Sequence, residues 1–78
     1  MEVLINLSNV QTVQYFTQGF TDILAVYYED GKYRSWSVNH YEESYTQRAK
    51  CKQLNRAYQD IKSAIKKGEA LVEFTIDD

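Results

Sequence analysis

Hydrophobic and polar positions alternate with period two over most of this chain and switch to a helical period in one long stretch. Between residues 44 and 68, SYTQRAKCKQLNRAYQDIKSAIKKG, the positions Gln47, Cys51, Leu54, Tyr58, Ile61 and Ile65 recur at spacings of four and three. That spacing puts them on one stripe of an amphipathic helix, with Ala57 and Ala64 on its flank. Asn39 with Glu42, and Ser44 with Gln47, both have capping-box spacing, so the helix is expected to start between residues 39 and 44. Glu42 and Glu43 near the start and Lys66 and Lys67 in the last turn suit the helix dipole, and Gly68 stands where a left-handed terminating residue belongs. Such a helix is about 35 Å long against about 23 Å for a seven-residue strand, so it must cross a sheet diagonally or overhang it.

Around it the pattern predicts strands. Val3, Ile5 and Leu7 alternate with Glu2 and Asn6, and Ser8 and Asn9 supply turn chemistry. Residues 12–18 favour a strand by composition, although Val10, Val13, Phe16 and Phe20 also have helical spacing, with Asn9 as a cap and Gly19 as a stop. Residues 23–28 and 32–39 form a hairpin around Glu29-Asp30-Gly31. A two-residue turn would pair Tyr28 with Tyr33; a three-residue turn with a glycine bulge pairs Tyr28 with Lys32 and Leu24 with Trp36. The second gathers Leu24, Val26, Trp36 and Val38 on one face and is preferred, since a one-residue slip would scatter them. Tyr33, Ser35 and Ser37 then point away from that face. Ala70, Val72, Phe74 and Ile76 alternate with Leu71, Glu73, Thr75 and Asp77 in the clearest strand of all. The expected fold is α+β: a mostly antiparallel sheet of four to five strands with one long helix on one face, in the order ββββαβ. A helical second segment would give βαββαβ, the ferredoxin-like arrangement.

Composition adds limits. With 78 residues, no proline and no repeat, the chain reads as one domain, residues 1–78, and a domain this short buries only about 60% of the surface its unfolded chain exposes. No apolar run is long enough to span a membrane, Met1 is followed by Glu2 and not by a basic leader, and the single Cys51 cannot form an internal disulfide; a cytoplasmic protein without membrane contact is expected. The net charge of −2 conceals segregation: residues 1–31 hold four acids and no base, residues 32–67 nine bases and three acids, and residues 68–78 four acids.

Catalytic chemistry is sparse. His40 and Cys51 are the sole residues of their types. On a continuous helix they would stand about 16 Å apart, whereas a nucleophile and its base must meet within about 3 Å. One His and one Cys do not make a closed metal site, and the three glycines are isolated, so no phosphate loop exists. The expectation is a protein that is not an enzyme and carries no cofactor or metal. Two surfaces remain as binding candidates. Tyr27, Tyr33, Ser35 and Ser37 make a rigid, amphipathic surface on the hairpin, with Glu29 and Asp30 at its turn able to steer a basic protein partner. Arg48, Lys52, Arg56, Gln59, Lys62 and Lys66 form a basic, amide-bearing stripe on the outer side of the helix, suited to the phosphates of a nucleic acid. A homo-oligomer built through an edge strand or the helix overhang is a third arrangement open to the chain.

A short acidic chain with a hairpin such as ILAVYYEDGKYRSWSV, a single long helix and no catalytic group resembles the small phage-encoded anti-defence inhibitors of the anti-CRISPR type. The resemblance lies in architecture and composition and spans most of the chain. It implies a protein acting in the host cytoplasm by occluding a nucleic-acid-binding or partner-binding surface of a nuclease complex.

Overall fold

The computed structural model describes residues 1–40 and 45–76; Glu42, Glu43 and Ser44, on which both capping pairs and the acidic start of the helix depend, lie outside the described residues. The elements are β1 (Glu2–Asn6), a 3-10 turn (Leu7–Asn9), β2 (Val10–Gln18), β3 (Thr21–Tyr28), β4 (Tyr33–Asn39), α1 (Tyr45–Lys67) and β5 (Leu71–Thr75). The class is therefore α+β in the order ββββαβ, and the ferredoxin-like alternative falls because residues 10–18 are a strand. Strand geometry prevails there for two local reasons. Asn9, which would have capped a helix, gives its carbonyl to the Glu29 N–H at 2.9 Å. Gly19, with φ of 61°, turns the chain in two residues so that Gln18 faces Thr21 and the whole segment can pair with β3.

The strands divide between two sheets instead of forming one. β1 pairs antiparallel with β5, and β2, β3 and β4 form an antiparallel meander. The β3–β4 register pairs Leu24 with Trp36 and Tyr27 with Tyr33, and the Tyr28 N–H donates to the Lys32 carbonyl across a turn in which Gly31 has φ of 88°. This is the bulged register expected from the apolar pattern. Side chains join the two sheets along a seam: Trp36 of β4 meets Phe74 of β5 edge to face at 5.4 Å, and the Arg34 guanidinium stacks over Trp36 while donating to the Leu4 carbonyl of β1.

α1 lies across both sheets, touching β2, β3, β4 and β5. Its buried residues are Leu54, Ala57, Ile61 and Ala64. The stripe read from the sequence was centred elsewhere: Gln47, Cys51 and Tyr58 are half-buried and Ile65 is 44% exposed. At 100° per residue the buried face is turned by about 60° toward the alanines. Ala57 and Ala64 have no bulk to hold the helix away from β5, so the small side chains face the tightest approach and the larger ones of the stripe shift toward β2. Val3, Ile5, Leu7, Leu24, Val26, Val38, Val72 and Phe74 complete the core. Ala70, expected on the inner side of β5, is exposed and precedes the strand. The helix ends as the sequence predicts, with Gly68 at φ of 75°, its N–H on the Ile65 carbonyl and the Glu69 N–H on the Ala64 carbonyl, the Schellman pattern.

Candidate functional site

With α1 on the inner side of the meander, alternation along each strand assigns the opposite side. Gln14 and Phe16 of β2, Ile23, Ala25 and Tyr27 of β3, and Tyr33, Ser35 and Ser37 of β4 share it through their cross-strand pairs. No residue of β2, β3 or β4 on this side is charged, and Phe16 and Tyr33 are exposed on it while Ala25 at its middle is buried. Tyr27 and Tyr33 stack at 6.1 Å near one end, Tyr33 being 66% exposed. Next to them is the turn, where Glu29 and Asp30 are both exposed; the Asp30 side chain accepts from the Lys32 N–H and so holds the turn as well as charging it. The six residues proposed for a partner surface thus fall on one side and one end of a single hairpin. The sequence did not assign Phe16 and Ile23 to the same surface, because that required β2 to be a strand of known register.

The helix residues Arg48, Lys52, Arg56, Lys62 and Lys66, with the amide Gln59, are all exposed, but they do not form one flat strip. Arg48 borders a pocket with Thr17 and Asp22, Arg56 borders β5 beside Phe74, and Lys62 and Lys66 border β2 beside Val13. Among the described residues no carboxylate pairs with Lys52, Arg56, Lys62 or Lys66, since the sole ion pair is that of His40 with Asp22. Among the described residues the acids of the strands therefore do not neutralise these four cations through ion pairs.

Asp22 is the polar centre that sequence reasoning missed. It accepts from the Tyr15 hydroxyl at 2.8 Å and the Thr17 hydroxyl at 2.8 Å, and lies 3.1 Å from His40 Nε2. Cys51, from the helix, lines the same pocket as this carboxylate. Burial alone would raise the Asp22 carboxyl, but hydrogen bonds from Thr17, Tyr15 and Cys51, with the charge of His40, outweigh it and hold the carboxyl below its ordinary value of 3.8. Burial, and then the charge and hydrogen bond of Asp22, push the Cys51 thiol up. Burial first, and then the bond to Asp22, do the same to the Tyr15 phenol. The available signal was an acid inside the strand-forming run GFTDILAV, where aspartate is disfavoured unless its carboxylate is used.

This cluster corrects the expected 16 Å separation of His40 and Cys51. His40 is not on the helix: its N–H closes the end of β4 onto the Phe20 carbonyl at 2.7 Å, and its imidazole meets Asp22 in the pocket that Cys51 also lines. The two share that pocket, however, and not as nucleophile and base. A thiol held protonated beside a carboxylate is a hydrogen-bond donor rather than a nucleophile. Asp22 ties β2, β3, the end of β4 and α1 together.

The fold has no helix long and apolar enough to cross a membrane among the described residues, nor any group of three potential metal ligands. Comparison with known proteins returns no matching family model, no similar curated protein and no similar solved structure, so the geometry of these surfaces carries the functional reading.

Proposed function

We propose that this chain is a small non-enzymatic binding protein that acts in the cytoplasm by covering the working surface of a macromolecular partner through the outer side of the β2–β3–β4 meander. The observation that carries the reading is the uncharged sheet side, with Phe16 and Tyr33 exposed on it and the Tyr27–Tyr33 pair at one end. Tyrosine and serine present contact area at low entropic cost, and a charge-free patch centre bordered by charges is the composition of protein interfaces. Glu29 and Asp30 at its end favour a partner with a basic, nucleic-acid-binding patch, as the resemblance to phage inhibitors of nuclease complexes also implies. A second reading, a nucleic-acid-binding accessory protein, is favoured by Lys52, Arg56, Lys62 and Lys66 of α1, which pair with no carboxylate among the described residues.

One experiment separates the two: affinity capture of the partner from the native host with and without nuclease treatment, followed by binding measurements on variants. Tyr33→Ala is expected to weaken the complex about thirtyfold, the effect of a hot spot of about 2 kcal/mol, at an unchanged melting temperature. Retained affinity at that melting temperature removes the sheet side from consideration. If instead Lys52→Glu with Arg56→Glu abolishes binding, and log affinity falls with log salt by about 0.9 per phosphate contacted on duplex DNA, the helix is the binding surface.

A further inference from the structure

β2 is an edge strand with unusual properties. Its nine residues, VQTVQYFTQ, include no charge and no proline, the devices that ordinarily keep an exposed edge from pairing. The hydrogen-bond pattern shows which backbone groups are open. The Tyr28 N–H donates to the carbonyl of Lys32, just before β4, so even-numbered residues of β3 face β4 and odd-numbered ones face β2. Their partners across β2 are Thr12, Gln14, Phe16 and Gln18. The N–H and C=O groups of Val13, Tyr15 and Thr17 therefore point away from the sheet, and no strand among the described residues meets them. The side chains of Tyr15 and Thr17 are fixed from behind by donating to Asp22, so this part of the edge, beyond the register shift between Val10 and Thr12, is held before any partner arrives.

Beside this edge opens a groove of about 370 Å³. Thr12 and Val13, on opposite sides of β2, both line it, which places its mouth on the free edge. Tyr58 and the exposed Ile65 form the helical wall with Val13, and Lys62 and Lys66 form the rim. The Lys62 ammonium sits 5.0 Å from the Tyr58 ring, which holds the charge over the apolar wall.

We infer that the free edge of β2 takes an extended segment of a protein partner as an added strand, with an apolar side chain in the groove and an acidic one beside Lys62 and Lys66. Main-chain hydrogen bonds to Val13, Tyr15 and Thr17 supply the attachment, and the groove supplies selectivity, the division of labour in strand addition. Side chains two apart share one side of a strand, so the recognised pattern is an apolar residue and an acid at positions i and i+2. The β2 edge of a second copy is the poorer occupant: β2 carries no acid, so pairing of β2 with β2 would leave both lysines without counter-charge. This edge is separate from the outer sheet side, and the inference stands whether or not that side binds.

The test is nuclear magnetic resonance titration with two ten-residue peptides of alternating threonine and valine, one with a central Leu-Thr-Glu and the other with Leu-Thr-Lys. In the free protein the amides of Val13, Tyr15 and Thr17 are expected to exchange rapidly with solvent. The glutamate peptide should shift and protect them, and Lys62→Glu with Lys66→Glu should weaken it roughly tenfold while reversing the preference between the peptides. Both lysines are exposed, so the variant retains the fold. If the three amides are already protected in the free protein and sedimentation shows a dimer, self-pairing replaces the proposal. Amides left unmoved by the glutamate peptide overturn it, as does equal response to both peptides.

Discussion

Ile61→Ala is expected to lower stability by about 2 to 5 kcal/mol, the combined effect of lost burial and a residual cavity. Ile61 has no exposed surface and lies between the two sheets with Leu54, for which the same loss is expected. In a domain whose whole stability is of the order of 5 to 15 kcal/mol, and whose small size places it at the lower end, either change leaves much of the population unfolded at modest temperature. Ile65→Ala, four residues along the same helix, is the informative control. On the stripe read from the sequence it is equivalent to Ile61; on the structure it is 44% exposed, and its removal is expected to have a much smaller effect. Arg56→Ala should change stability by less than about 0.5 kcal/mol. Urea melts of the four variants decide the matter: equal losses at residues 61 and 65 would return the helix to the sequence register and discard the rotation toward Ala57 and Ala64.

Asp22→Asn is expected to be the second most damaging change, and its effect should depend on pH. The carboxylate serves two hydroxyls and an imidazole, and weakening that set strands part-buried donors at about 1 to 3 kcal/mol. Because the folded carboxyl titrates below its unfolded value, the stabilisation is complete above about pH 4, the unfolded range, and is lost as pH falls through the lower folded value. Cys51 and Tyr15 act at the other limit. Both are pushed upward, so the unfolded chain gives up those protons first, and stability should decline as pH rises past their ordinary values of 9.0 and 10.0. Unfolding midpoints from pH 2 to 11 should therefore describe a plateau with two shoulders, and Asp22→Asn should lower the plateau and flatten the acid shoulder. Coincident curves for variant and wild type would mean that the cluster is solvated and contributes nothing to holding the strands to the helix.

The parts of this architecture that were legible in advance are those decided by local alternation. The bulged hairpin register followed from four apolar residues that only one pairing brings together, and Gly68 marked the helix end because the left-handed turn there admits little else. The division into two sheets was not legible, since it depends on Arg34, Trp36 and Phe74 filling a seam between strands far apart in sequence. The helix rotation escaped for a related reason: periodicity weighs a residue by hydrophobicity, while packing against β5 weighs it by size, and alanine scores low on the first and high on the second. For the candidate surface, tyrosine and serine on alternate positions of the hairpin were visible, but Phe16 and Ile23 entered only with the pairing of β2. Asp22 was overlooked because its neighbours come from three other elements, and no spacing rule links residues 15, 17, 22, 40 and 51.

The pairing of Glu2 with Thr75 also has a kinetic meaning. The meander closes through turns of two and three residues, whereas β1 and β5 can meet only after nearly the whole chain has been brought into a closed loop, with the entropy that such closure removes. The meander and its helix are therefore expected to dominate the folding transition state and the β1–β5 ladder to form after it. Val3→Ala and Val72→Ala should accelerate unfolding and leave the folding rate nearly unchanged, while Leu24→Ala should slow folding, as stopped-flow chevrons would record. The lifetime of the native state is thus set by a two-stranded clasp, and the speed of reaching it by the three strands that carry the candidate binding surface.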